Sequence, residues 1–306
     1  MSAIEEIGAA VASVAETAGP SVVTIGRNAR GSGVVIADGQ VLTNAHNLRA
    51  GEVTVTFGDG RSTRGTVTGV DPDGDLAVVS VDTAGARAIE WGAGDGLAVG
   101  SPVFGVAASF GGGVRVTFGL VSSVSRSFRG PGGRRIAGSV EHTAPLAPGS
   151  SGGAIVDAGG KLLGLNTNRI GEGFYLALPA DAALRARVDA LGRGESAKRL
   201  RLGVAIAPSH VARRLRRSVG LAERAGILVR GVEEGSLAEG AGVEAGDLIV
   251  AAGGKPIADA DDLFDALGGL EPPFELEIVR GAEERTVNVA APTSGSEKPE
   301  RTPGDA

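Results

Sequence analysis

The chain has 306 residues, 51 of them glycine and 14 proline, with no cysteine, three histidines and a formal net charge of -6. The lack of cysteine excludes disulfides, thiolate nucleophiles and cysteine-built zinc sites, and the acidic balance argues for a soluble protein whose main business is not nucleic-acid binding. The length suits two domains with separate cores, and abundant glycine and proline favour many short strands over long helices.

Residues 2–18 place Ile4, Ile7, Val11 and Val14 near one helical face, closed by Gly19 and Pro20, and predict a short amphipathic helix. From Ser21 the pattern changes to β-branched runs cut by turns: SVVTI, GVVIADGQVLTN, VTVTFGDGRSTRGTVTGV and LAVVSV. A second set follows to Pro179, comprising PVFGVAAS, VRVTFGLVSSVS, GSVEHTA, GAIVDAGGKLLGLNTN and FYLALP. Such regular spacing points to a barrel or sandwich, with more strands than one barrel needs. Residues 180–191 read as a helix that completes a first domain, 1–191, and 192–199 as a polar linker. Residues 200–291 alternate strands with helices opened by Ser209 and Asp261, a compact α+β unit, and the polar tail 292–306 is expected to be disordered.

No run approaches the roughly eighteen apolar residues of a membrane-spanning helix. The opening MSAIEEIGAA is acidic where a secretory signal is basic, so the chain as given is expected to be cytoplasmic, with an extracytoplasmic location the alternative if a signal was removed.

Without cysteine, covalent catalysis falls to Ser, Thr, Lys or a carboxylate. Three segments supply the parts: LTNAHNL holds His46, DPDGDLAVV holds Asp75 and APGSSGGAIV holds Ser151, with Ser150 an outside candidate. A serine hydroxyl needs an imidazole to take its proton, and the imidazole needs a buried carboxylate to fix its tautomer and stabilise its cation. Glycines beside Ser151 let the backbone turn so that N–H groups, those of Gly149 and Ser151, face the oxyanion formed during attack. The acids at 71, 73 and 75 lack the Gly and Glu that an EF-hand requires, and no P-loop is present, so neither a metal nor a cofactor is implied.

GSSGG resembles the GDSGG of the trypsin superfamily and, with Pro148, the PGNSGG of the HtrA/Deg family. Similar family patterns run through PSVVTI, GSGVVI, VLTNAHNL, VDPDGDLAVVSV, VTFGLVSSVSR and GLNTNRIGEGFYLALP, in one order over residues 20–180. The resemblance implies a mainly β fold: two six-stranded antiparallel barrels with His46 and Asp75 from the first and Ser151 from the second. The chain departs from the family pattern at Asn47, Thr143, Ala147 and Ser150. Where the superfamily sets its primary specificity pocket, this chain has Pro145 and Leu146, with Tyr175 as a further wall, which implies an apolar rather than basic preference.

RLGVAI, AGILVRGVEEGSLAEGAGVEAGDLIVAAGGKPIADADDLFDAL and ELEIVRGAEERTVNV resemble the PDZ domain of the same family. Leu202, Gly203 and Val204 match the loop that holds a peptide carboxylate, and a helix with Leu263, Ala266 and Leu267 is either the other groove wall or an ordinary core element. The arginines from 199 to 217, with Lys198, read as a solvated face. The leading expectation is an ATP-independent serine endopeptidase that cleaves unfolded or damaged polypeptides, with the PDZ domain binding peptide C-termini and recruiting or gating substrate. Family relatives imply a homo-oligomer, commonly a trimer. The alternatives are a peptide-binding chaperone or regulatory scaffold with a dormant barrel, and a hydrolase of small esters.

Overall fold

The computed structural model describes residues 2–27, 30–49, 52–109, 112–130, 135–196, 200–207 and 209–291. The expectations for the tail 292–306, and for Lys198 and Arg199 in the linker, lie outside the described residues. The chain divides into two compact units, 1–197 and 198–306.

In the first unit, helix α1 (Ala3–Thr17) begins with a capping box in which Ser2 and Glu5 satisfy each other's backbone N–H groups. Only the later part of its apolar stripe is covered: Val14 is buried and Ala10 and Val11 pack against the core, whereas Ile4 is 82% and Ile7 38% exposed. The helix therefore docks by its C-terminal half, a distinction that residue spacing does not carry.

Six strands follow and close into a barrel: β1 (Val22–Ile25), β2 (Gly31–Ala37), β3 (Gln40–Thr43), β4 (Glu52–Thr56), β5 (Ser62–Asp71) and β6 (Leu76–Ser80), in the spatial order β1-β2-β3-β6-β5-β4. A second closed barrel contains β7 (Pro102–Ala108), β8 (Val114–Arg129), β9 (Arg135–His142), β10 (Ala154–Val156), β11 (Leu162–Arg169) and β12 (Tyr175–Pro179), in the order β10-β11-β12-β9-β8-β7. Strand alternation divides the work. On β3 and β6, Val41 and Val79 fill the first barrel with Val23, Ile25, Val35 and Val55. Their neighbours Leu42 and Val78 join Phe104, Val106, Leu162 and Leu165 in one cluster shared by both barrels and by α2 (Ala182–Gly192). That common core fixes the cleft between the barrels.

The second unit has β13 (Val204–Ala207), α3 (Ser209–Ser218), β14 (Ile227–Val232), α4 (Leu237–Gly240), β15 (Leu248–Ala252), β16 (Lys255–Pro256), α5 (Ala260–Leu267), β17 (Phe274–Arg280) and β18 (Glu283–Val289). Its sheet runs β13-β14-β15-β17-β18, with β16 beside β15, so β13 is an edge strand. On β17, Phe274, Leu276 and Ile278 point inward while Glu275 and Glu277 face out, the pattern of a sheet with one wet face.

Candidate active site

Each sequence-selected residue sits just outside a strand end, where a rigid ladder holds it and the backbone is free to turn. His46 lies on the short turn Ala45–Asn47 after β3, Asp75 immediately before β6, and Ser151 in the tight turn that enters β10. All three line one cleft of about 530 Å³ between the barrels.

Asp75 adopts φ +54, in the left-handed region that a non-glycine residue enters at a cost. Asn44 Nδ2 holds its carbonyl at 2.9 Å. Earlier in the same turn, Asp71 Oδ1 accepts the Gly74 N–H at 2.9 Å and its other oxygen is ion-paired to Arg187 of α2. The Asp75 carboxylate, 1% exposed, is surrounded by donors: His46 Nδ1 at 2.9 Å from both oxygens, the His46 N–H at 3.2 Å and Thr167 Oγ1 at 2.7 Å. A carboxylate facing Nδ1 places the imidazole proton there and leaves Nε2 as the free base. Thr167, on β11, was not singled out in the sequence; its only signal was its place in GLNTN.

Ser151 Oγ donates to the Thr167 carbonyl at 2.9 Å, and among the described residues no hydrogen bond joins it to His46. Gly149 has φ +88, and among the described residues neither its backbone N–H nor that of Ser151 donates to a protein acceptor. Ser150 also lines the cleft and is 4% exposed. Leu146 and Tyr175 line the cleft, whereas Pro145 is exposed and does not; Asn166 and Asn168 complete the wall. Behind it lies His142, fully buried, with Nε2 3.0 Å from Asn166 Oδ1 and its ring stacked on Tyr175. Burial pushes its pKa down to about 4, against a smaller upward effect of the Asn166 bond.

In the second unit, Leu202 and, on α5, Leu263, Ala266 and Leu267 are buried in one apolar cluster. Gly203 has φ +77 and lies against the Ser236 side chain, and Val204 opens the edge strand β13. Among the described residues no group of three His, Cys, Asp or Glu is placed to hold a metal ion, and no helix is long and apolar enough to cross a membrane.

Two closed barrels sharing a histidine, carboxylate and serine across their cleft define a chymotrypsin-type peptidase fold, here joined to a smaller sheet-and-helix module. The family model for a trypsin-like peptidase domain matches residues 31–165, and that for a PDZ domain matches 228–280. A probable periplasmic serine endoprotease DegP-like from Pseudomonas fulva is 33% identical over 286 residues, covering 90% of this chain and 58% of the relative. Its counterpart from Brucella suis is 33% identical over 276 residues, covering 86% and 53%. The chain thus spans a little over half the length of these relatives. Among solved structures, the HtrA-type protease AlgW with a decapeptide superposes with a TM-score of 0.67 at 26% identity, covering 92% of this chain and 97% of that one. The chain belongs to the HtrA/Deg family of trypsin-like serine proteases and carries one PDZ domain after its protease domain.

The relatives' names place those proteins in the periplasm, which overturns the expectation of a cytoplasmic protein. That expectation rested on acidic residues at the start of the chain. In the structure, Glu5 and Glu6 occupy the first turn of α1, where they complement the helix dipole and the capping box; they report on a helix start, not on an address.

Proposed function

We propose that the chain is an extracytoplasmic, ATP-independent serine endopeptidase of unfolded or damaged polypeptides, with its chemistry in residues 1–191 and peptide capture in 200–291. The observation that carries this reading is the buried Asp75 carboxylate bonded to His46 Nδ1 at 2.9 Å in the cleft that Ser151 also lines. The periplasmic names of the relatives support the setting.

Ser151 Oγ turns from the Thr167 carbonyl toward His46, whose Nε2 takes its proton as the hydroxyl attacks the scissile carbonyl. Asp75 holds the imidazole and stabilises the cation that forms. The tetrahedral oxyanion accepts from the N–H groups of Gly149 and Ser151, a type of stabilisation worth about 3–4 kcal/mol per donor. His46 then protonates the leaving amine, and water, activated by the same nitrogen, releases the acyl group from Ser151. Leu146 and Tyr175 form an apolar wall for the side chain before the cut. A peptide C-terminus adds along the open edge of β13, its carboxylate near Leu202, Gly203 and Val204.

Degradation of a casein-like unfolded substrate by the full chain and by Ser151→Ala tests this reading. The substitution is expected to lower kcat on the order of 10⁶-fold. Wild type as inert as Ser151→Ala, with both still suppressing aggregation, would replace it with the dormant-barrel chaperone.

A further inference from the structure

Polar side chains buried between packed barrels are costly unless each finds partners. Behind the Ser151 turn lie three: Ser32 on β2 and Thr43 at the end of β3, both fully buried, and Asn47, 3% exposed, beside His46. Asn47 Nδ2 donates to Thr43 Oγ1 at 3.0 Å and to the Ser151 carbonyl at 2.9 Å. Thr43 Oγ1 donates in turn to the Ser32 carbonyl at 2.7 Å. The Ser32 N–H gives the Ser151 carbonyl a second donor at 2.8 Å. Ser32 Oγ donates to the Gly149 carbonyl at 2.9 Å and accepts from the Ala108 N–H at 3.1 Å.

These bonds act on peptide planes, because a trans peptide points its C=O and N–H in opposite directions. The 151–152 peptide is held on both sides: its carbonyl by Asn47 and Ser32 of the first barrel, its N–H by the Asn166 carbonyl of the second at 2.7 Å. The 149–150 peptide is held by Ser32 Oγ on its carbonyl and by the Ala147 carbonyl, 3.2 Å from the Ser150 nitrogen. With both neighbours pinned and its own carbonyl accepting the Gly153 N–H at 2.9 Å, the intervening 150–151 peptide, which carries the Ser151 N–H, has little freedom to swing. Two glycines make room for the network. A Cβ on Gly31 would overlap the Asn47 carboxamide, and one on Gly152, at φ +84, would overlap the Ser32 carbonyl and crowd Thr43 Oγ1.

We propose that Asn47 is a positioning residue for Ser151: held by Thr43, its carboxamide clamps the nucleophile's carbonyl across the barrel boundary and so sets the direction of the Ser151 N–H. The proposal rests on the reading of Ser151 as nucleophile and adds that the residue following His46 serves the serine rather than the histidine. An asparagine suits the place because its two N–H hydrogens match two acceptors. Valine supplies neither, and aspartate would set a second acceptor against the Ser151 carbonyl.

The test compares the full chain with Asn47→Val, Asn47→Asp, Ser32→Ala and the Asn47→Val/Ser32→Ala double variant, with Thr43→Val as a near-isosteric change that withdraws support from Asn47 and removes no hydrogen bond to the turn. For a fluorogenic peptide, Asn47→Val is expected to lower kcat about 10- to 100-fold with KM within about twofold, the signature of a misplaced reacting group. Asn47→Asp should lose more and Thr43→Val less, and the double variant should depart from the product of the single effects. Independently of turnover, amide hydrogen exchange of residues 149–153 should quicken about tenfold or more in Asn47→Val. A kcat within twofold of wild type, or unchanged exchange, overturns the clamp. Should wild type hydrolyse nothing, the protease reading fails by itself, and the exchange comparison still decides the clamp. Should Asn47→Val not fold, Thr43→Val carries both measurements with the same criteria.

Discussion

Replacing His142 by glutamine should make the protease unit more resistant to acid. The histidine has no solvent exposure, and its environment dictates a neutral ring. Asn166 uses its Nδ2 on the Ala154 carbonyl at 3.0 Å, so its Oδ1, 3.0 Å from His142 Nε2, is an acceptor and Nε2 carries the proton. Among the described residues Nδ1 is buried without a partner, so a second proton there would be charged, desolvated and unpaired. Burial accordingly takes the pKa from 6.5 to about 4 in the folded chain. Above pH 6.5 both folded and unfolded states are neutral and stability is intact. As pH falls from 6.5 to 4 the unfolded state gains the proton first, and stability drains at about 1.4 kcal/mol per pH unit to a total of about 3 kcal/mol. Glutamine can keep the N–H donor to Asn166 and does not titrate. The assay is denaturant unfolding at pH 7.5 and pH 4, followed by the fluorescence of Trp91, the single tryptophan, which lies in the first unit. Wild type should lose about 3 kcal/mol more than the variant over that interval; the other acid-titrating groups are common to both and cancel. Equal losses would refute the reasoning and mean that His142 opens to solvent or finds a partner when protonated.

Two further outcomes follow from the cleft and the second unit. Thr167→Val removes the 2.7 Å bond to Asp75 Oδ2 and leaves a buried carboxylate short of a donor; steady-state kinetics should show kcat lowered about tenfold or more, in line with about 1–3 kcal/mol for such a loss. Gly203→Val forces a side chain onto φ +77 and against Ser236, and should abolish binding of C-terminal peptides in a fluorescence-polarisation titration while leaving hydrolysis of short peptides within about twofold.

Much of the site was legible because its parts are local. TNAH, DGD and GSSGG each put a candidate catalytic side chain beside residues that turn the chain, and such turns survive translation into sequence patterns. The two cores were legible as runs of β-branched residues, although the alternation that sends Val41 into a barrel and Leu42 between barrels needs the pairing of strands. What stayed hidden depends on contacts distant in sequence. Thr167 reaches Asp75 across 92 positions, and Asn47 reaches Ser151 across 104; Asn47 stood out only as a departure from a pattern. His142 lies in no motif that sets it apart, because burial is a tertiary fact. Likewise Ile4 and Leu263 share a helical periodicity, yet one faces solvent and the other the core. Strand β8 continues to Arg129 through a stretch rich in serine and arginine, where composition argues against a strand and pairing with β9 sustains it.

A serine hydroxyl resting on the Thr167 carbonyl amounts to a latch with one torsion. Rotamers of this kind exchange in picoseconds to nanoseconds, whereas enzymes commonly turn over about 1–10³ times per second, so the latch delays no catalytic cycle. It acts only through population. Exchanging one neutral hydrogen bond for another is worth about 1 kcal/mol, or about fivefold in rate. An effector that merely released the hydroxyl would therefore raise activity by that modest factor, and regulation of larger amplitude has to act on something other than this torsion.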